Sequence, residues 1–168
     1  KWTGLSRRIF DPIETLSHLL VLPNKSRLLG LTATAWKVCA RMGLDLTFTV
    51  FRQICSLELL QRNLPTELNS RHTNILIIGD GIGVLSALLK AVFPMSTIVM
   101  VDIGKTLFYQ AYHVQKAYPQ DRHKLASDAP QPEDTDFAYC PTERLDDLAH
   151  YRFDIAINIA SMQEMTPQ

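Results

Sequence analysis

Asn74-Ile75-Leu76-Ile77-Ile78-Gly79-Asp80-Gly81-Ile82-Gly83 is the stretch whose reading decides the fold. Ile75 to Ile78 form a short, continuous, mostly β-branched apolar run, the pattern of a parallel strand buried on both faces. Three glycines at alternate positions follow at once. Val84 to Phe93 then reads as a helix stopped at Pro94. Thr97-Ile98-Val99-Met100-Val101 is a second apolar run, closed by Asp102, and Thr106 to Tyr118 is rich in helix formers up to Pro119. This is β-α-β-α with short links, the repeating unit of a doubly wound parallel sheet.

Toward the C-terminus, Gln120 to Asp136 is rich in Pro, Asp, Gln and Ser and poor in apolar residues, which predicts an exposed loop. Phe137 to Cys140 predicts a third strand, Glu143 to His150 a short helix, and Phe153 to Asn158 a fourth strand. The expected architecture is α/β and Rossmann-like. Strands at 75–78, 98–101, about 137–140 and 154–158 run parallel in the order 3-2-1-4, with helices on both faces. A full sheet of this kind needs further strands beyond the fourth, so residues 71–168 read as a domain incomplete at its C-terminal end.

Toward the N-terminus, residues 1–70 read as a helical region. Asp11-Pro12 suits a helix start, and Pro23-Asn24 breaks that helix. Ser26 is placed to cap the next one, which runs to Gly43, and Asp45 to cap a third that ends near Asn63-Leu64-Pro65. Apolar side chains such as Leu28, Trp36, Phe51 and Leu59 are expected to pack on the sheet domain or to join two copies as a homodimer. The opening Lys1-Trp2-Thr3-Gly4 lacks an initiator Met and is unlike a signal peptide.

Lys+Arg and Asp+Glu each total 17, so the formal net charge is zero. That balance gives no overall attraction to nucleic acid or to an anionic membrane. No apolar run reaches the ~18 residues of a spanning helix. Cys39, Cys55 and Cys140 have no metal-ligand or CxxC spacing and read as reduced core thiols of a cytoplasmic protein. The five histidines show no ligand spacing either, and no P-loop or G-x-S-x-G is present.

The glycine loop and the acid after it carry the functional signal. Glycines between a buried strand and a helix let a ligand approach the backbone closely. A carboxylate about 20 residues on, here Asp102, suits the hydroxyls of a ribose. Together they point to an adenosine-containing cofactor. The dinucleotide fingerprint G-x-G-x-x-G fails in both possible registers, because Val84 or Ser86 stands at the third glycine. The spacing present, G-x-G-x-G, resembles the first motif of class I S-adenosylmethionine-dependent methyltransferases. That motif often has an acid two residues before its first glycine, where this chain has Ile77.

Phe153-Asp154-Ile155-Ala156-Ile157-Asn158-Ile159-Ala160-Ser161-Met162-Gln163-Glu164-Met165 is similar to the fourth-strand motif of the sugar O-methyltransferase family, with its Asn, Ser and Gln-Glu-Met in that order. The resemblance extends over about Asn74 to Pro167. It implies methyl transfer from S-adenosyl-L-methionine to a hydroxyl of a sugar or other small-molecule acceptor. Gly79, Asp80, Gly81, Gly83, Asp102, Ile103 and Asn158 are then the expected cofactor residues, and Ser161 and Gln163 the acceptor residues. Glu164 is the ionisable side chain nearest the reaction, as a base or as a helix-capping carboxylate. Two other readings share these residues: an NAD-dependent oxidoreductase, and a catalytically silent binding module with the same fold.

Overall fold

The computed structural model describes residues 25–64, 71–125 and 134–159. Two helices come first, α1 (Lys25–Met42) and α2 (Phe48–Asn63), followed by β1 (Thr73–Ile78), α3 (Val84–Val92), β2 (Ser96–Asp102) and α4 (Gly104–Ala117). Then come β3 (His123–Leu125), β4 (Phe137–Pro141), a 3-10 helix at Thr142–Leu148 and β5 (Ile155–Asn158). The strands form one sheet in the order β3-β4-β2-β1-β5, parallel throughout. The expected order 3-2-1-4 is the β4-β2-β1-β5 part of it. The fold is α/β and Rossmann-like.

Burial explains the strand readings. β2 lies in the middle of the sheet, and its residues Ser96 to Val101 are all buried. In β1 the faces divide. Ile75 and Ile77 join the large core beneath α1–α4, while Leu76 and Ile78 pack half-buried on the opposite face. That second face is covered, among the described residues, by Leu148 of the 3-10 helix with Tyr151 and Phe153. The expected helix at Glu143 to His150 is thus realised as the tighter 3-10 form, and among the described residues the α-helices pack on one face. The 3-10 helix kinks at Arg144, whose backbone leaves the helical region and whose guanidinium pairs with Asp147 at 2.6 Å.

The N-terminal helices share the core of the sheet. Leu28, Ala35, Val38, Cys39 and Met42 of α1 recur at helical spacing and lie buried with Phe51 and Ile54 of α2. Of the four side chains expected to pack, Leu28 and Phe51 are 1% exposed, but Trp36 is 65% and Leu59 52% exposed. The last two point out because they sit off the buried stripes of their helices. Ser26 falls inside the first turn of α1 rather than before it. The cap of α2 is Thr47, not Asp45: Thr47 is extended and its hydroxyl accepts from the Val50 N–H at 3.5 Å. The Asp11 helix start lies outside the described residues. Cys39 and Cys140 are buried and Cys55 half-buried, all free thiols. None of the described helices is long and apolar enough to cross a membrane.

The segment expected as an exposed loop departs from that reading at both ends. His123–Leu125 pairs with β4 as an edge strand. Thr135 is buried, its carbonyl accepting from the Thr97 hydroxyl at 2.7 Å. Asp136 takes the buried Lys90 ammonium at 2.8 Å and Arg122 at 2.9 Å. Lys90 also donates to the Ser96 carbonyl at 2.7 Å. At the start of β5, Asp154 takes Arg71 at 2.6 Å and the Asn74 N–H at 2.8 Å. The N-terminal ends of the strands are therefore tied down by ion pairs, which leaves the C-terminal ends as the open side of the sheet.

Candidate functional site

Register brings the expected residues together. Ile78 stands opposite Val101 on one side and Asn158 on the other. Gly79, Asp102 and Asn158 therefore emerge side by side at the C-terminal edge, where open α/β sheets bind ligands. The Asn158 amide donates to the Ile78 carbonyl at 2.9 Å, and the Gly79 N–H donates to the Val101 carbonyl at 2.9 Å. The loop thus leaves β1 still pinned to both neighbours.

The glycines in this loop do different work. Gly81 has φ +62°, and a Cβ added there would meet nothing within 4 Å, so the space above it is open to a ligand. Gly83 has φ +86°, and its Cβ would lie 2.7 Å from the Val114 side chain and 3.3 Å from the Gln110 backbone. Gly83 is needed for α4 to lie against the loop. Both occupy the left-handed region, which a side chain strains.

Asp80 turns away from the open side. It is 7% exposed. Its Oδ1 accepts from the Leu85 N–H at 3.0 Å, and Oδ2 accepts from the Ser86 N–H at 2.7 Å and the Ser86 hydroxyl at 2.5 Å. Burial raises its pKa to about 6, the Ser86 and Leu85 donors opposing the rise and the nearby Asp102 charge adding to it. Its carboxylate holds the first turn of α3, with both oxygens already engaged.

Asp102 closes β2. Its Oδ1 accepts from the Ile103 N–H at 2.8 Å and Oδ2 from the Gln110 amide at 2.7 Å. No Lys, Arg or His pairs with Asp80 or Asp102 among the described residues. Each Asp102 oxygen keeps lone pairs for further donors. Ile103 is exposed beside it. An apolar groove of about 440 Å³ opens next to this acid, between α4 and the β3–β4 edge. Gly104, Leu107, Phe108, Leu125 and Pro141 line it, and Pro141 is the register partner of Asp102.

Ser161, Gln163 and Glu164 lie outside the described residues. Among the described residues no three His, Cys, Asp or Glu side chains gather as a metal site requires. Sequence reasoning missed the groove and Gln110. The signal for Gln110 was its place on the stripe Leu107-Gln110-Val114-Ala117, all of which is buried.

No family model matches the chain, and no curated protein matches it.

Proposed function

We propose that this chain carries the cofactor-binding part of an S-adenosylmethionine-dependent methyltransferase acting on a small-molecule hydroxyl. A sugar is the acceptor class that the residues around Asn158 imply by resemblance. The observation that carries this reading is the use of Asp80. A dinucleotide pyrophosphate binds the free N–H groups at a helix start. Here the Leu85 and Ser86 N–H groups already face a buried carboxylate, which would repel a phosphate. A cofactor with adenosine but no phosphate avoids that conflict.

The residues present fit such a group. Asp102 would accept the ribose hydroxyls, the open space over Gly81 would admit the chain joined to the ribose, and the groove beside Gly104 would pack against the flat faces of the base. The bound cofactor supplies an electrophilic methyl group. The protein's task is to align the acceptor oxygen with it and to help remove the hydroxyl proton. Glu164, as the base, belongs to the same proposal.

Calorimetric titration with S-adenosylmethionine and with NAD, beside thermal melts, tests this reading. Wild type should bind the first and not the second. Losing a hydrogen bond to a charged group costs about 1.5–3 kcal/mol, so Asp102→Ala should bind S-adenosylmethionine about tenfold to a hundredfold more weakly. Gly81→Val should lose more while still melting cooperatively at a lower temperature, because its side chain fills the ligand's space and strains the loop at φ +62°. Unchanged affinity in Asp102→Ala, or tighter binding of NAD, sinks the proposal.

A further inference from the structure

We infer that Gln110 is a positioning residue of this site, fixing the Asp102 carboxylate so that its free lone pairs face the ribose hydroxyls. The inference rests on the cofactor reading above. Gln110 is 0% exposed, on the buried stripe of α4. Its Nε2 donates to Asp102 Oδ2 at 2.7 Å while the Ile103 N–H holds Oδ1 at 2.8 Å. A carboxylate held at both oxygens cannot rotate freely, and two neutral donors leave its negative charge intact for a ligand. Only the amide N–H can donate to a carboxylate, so the orientation of Gln110 follows from its partner.

One observation separates this role from packing, and a second places the residue within the site. First, Gln110 Oε1 is buried without a hydrogen-bond partner among the described residues. Burying an unpaired polar atom is unfavourable, and a leucine or methionine would fill the space without that cost. Second, the backbone of Gln110 is the surface against which Gly83 closes. One residue therefore touches the glycine loop through its main chain and the acid through its side chain. With Val114, whose side chain comes nearer to Gly83, it sets the spacing between the two arms of the site.

The test uses two ligands, S-adenosylhomocysteine and its 3′-deoxy analogue. Wild type should favour the first by about tenfold, the value of one charged hydrogen bond. Gln110→Met keeps the volume and removes the N–H, so the preference should shrink to about twofold or less with the melting temperature unchanged or higher. Gln110→Leu, a second replacement lacking the donor, should give the same compression. A packing role would weaken both ligands equally and leave their ratio as in wild type. That result overturns this inference alone. A wild type that binds neither ligand overturns the cofactor reading and this inference with it.

Discussion

At the N-terminal ends of the strands, Asp136 and Asp154 face cations; at the C-terminal ends, Asp80 and Asp102 face neutral donors alone among the described residues. Burial alone would raise the Asp136 carboxyl, but the Lys90 and Arg122 hydrogen bonds and the Lys90 charge outweigh it and hold the group well below the usual carboxylate range. Arg71 and the Asn74 N–H do the same for Asp154. Asp80, buried without a cation, goes the other way. A carboxylate already paired with a cation has little left to offer a ligand. Asp102, held by two neutral N–H donors, keeps lone pairs for one. One edge is tied down by ion pairs; at the other, Asp102 keeps open acceptor positions while Asp80 is engaged by the first turn of α3.

The largest effect expected from breaking this contrast is at Lys90. Lys90→Met should remove about 3 kcal/mol of stability in urea unfolding, the low end for breaking a buried pair, because Asp136 loses its main partner but keeps Arg122. Ligand affinity of the folded protein should not change, since Lys90 stands at the far end of the sheet. A loss below about 1 kcal/mol would mean that this pair does not anchor β4.

Next comes pH. Asp136 and Asp154 have lowered pKa values, so their stabilisation is present above the ordinary carboxylate value of 3.8 and is lost as pH falls below it. Asp80 is raised from 3.8 to about 6, so the folded state holds its proton more tightly than the unfolded chain. Its contribution is complete below 3.8 and fades as pH rises toward about 6. At roughly 1.4 kcal/mol per pH unit the change is on the order of 3 kcal/mol. Asp80→Asn should flatten the stability profile between pH 4 and 6 and leave the acid limb below it. A slope that persists in the variant would assign the titration to another group.

The smallest effect is at Arg71, whose side chain is half exposed. Arg71→Ala should cost about 0.5 kcal/mol, less in high salt, because Asp154 keeps the Asn74 N–H. A cost above about 2 kcal/mol would show that even the exposed pairs of this edge are structural ties.

How legible these features were depends on how many faces of a segment are buried. β1, β2, α3 and α4 announce themselves because continuous apolar runs and glycines leave few alternatives. β3 does not: His123, Lys124 and Leu125 lie at an edge, so their composition is that of a loop. Asp45 and Thr47 are both good caps two residues apart, and only the packing of α2 chooses between them. Trp36 and Leu59 show the same ambiguity, since helical spacing alone does not fix the edge of a buried stripe. In the site, the glycines and Asp102 were readable from spacing. The inward turn of Asp80 was not, because it depends on Ser86 reaching back across the loop. Gln110 was hidden by its type, because a helical glutamine ordinarily reads as solvent-facing.

The order of the sheet also divides the site by chain distance. The strands that carry the glycine loop and Asp102 pair partners only 23 residues apart, such as Ile75 and Ile98. The strand that carries Asn158 reaches Ile78 across 80 residues. Closing the longer span costs roughly 1 kcal/mol more in chain entropy. The glycine loop and Asp102 are thus brought together from near neighbours in the chain, while Asn158 reaches the same edge only across a much longer span.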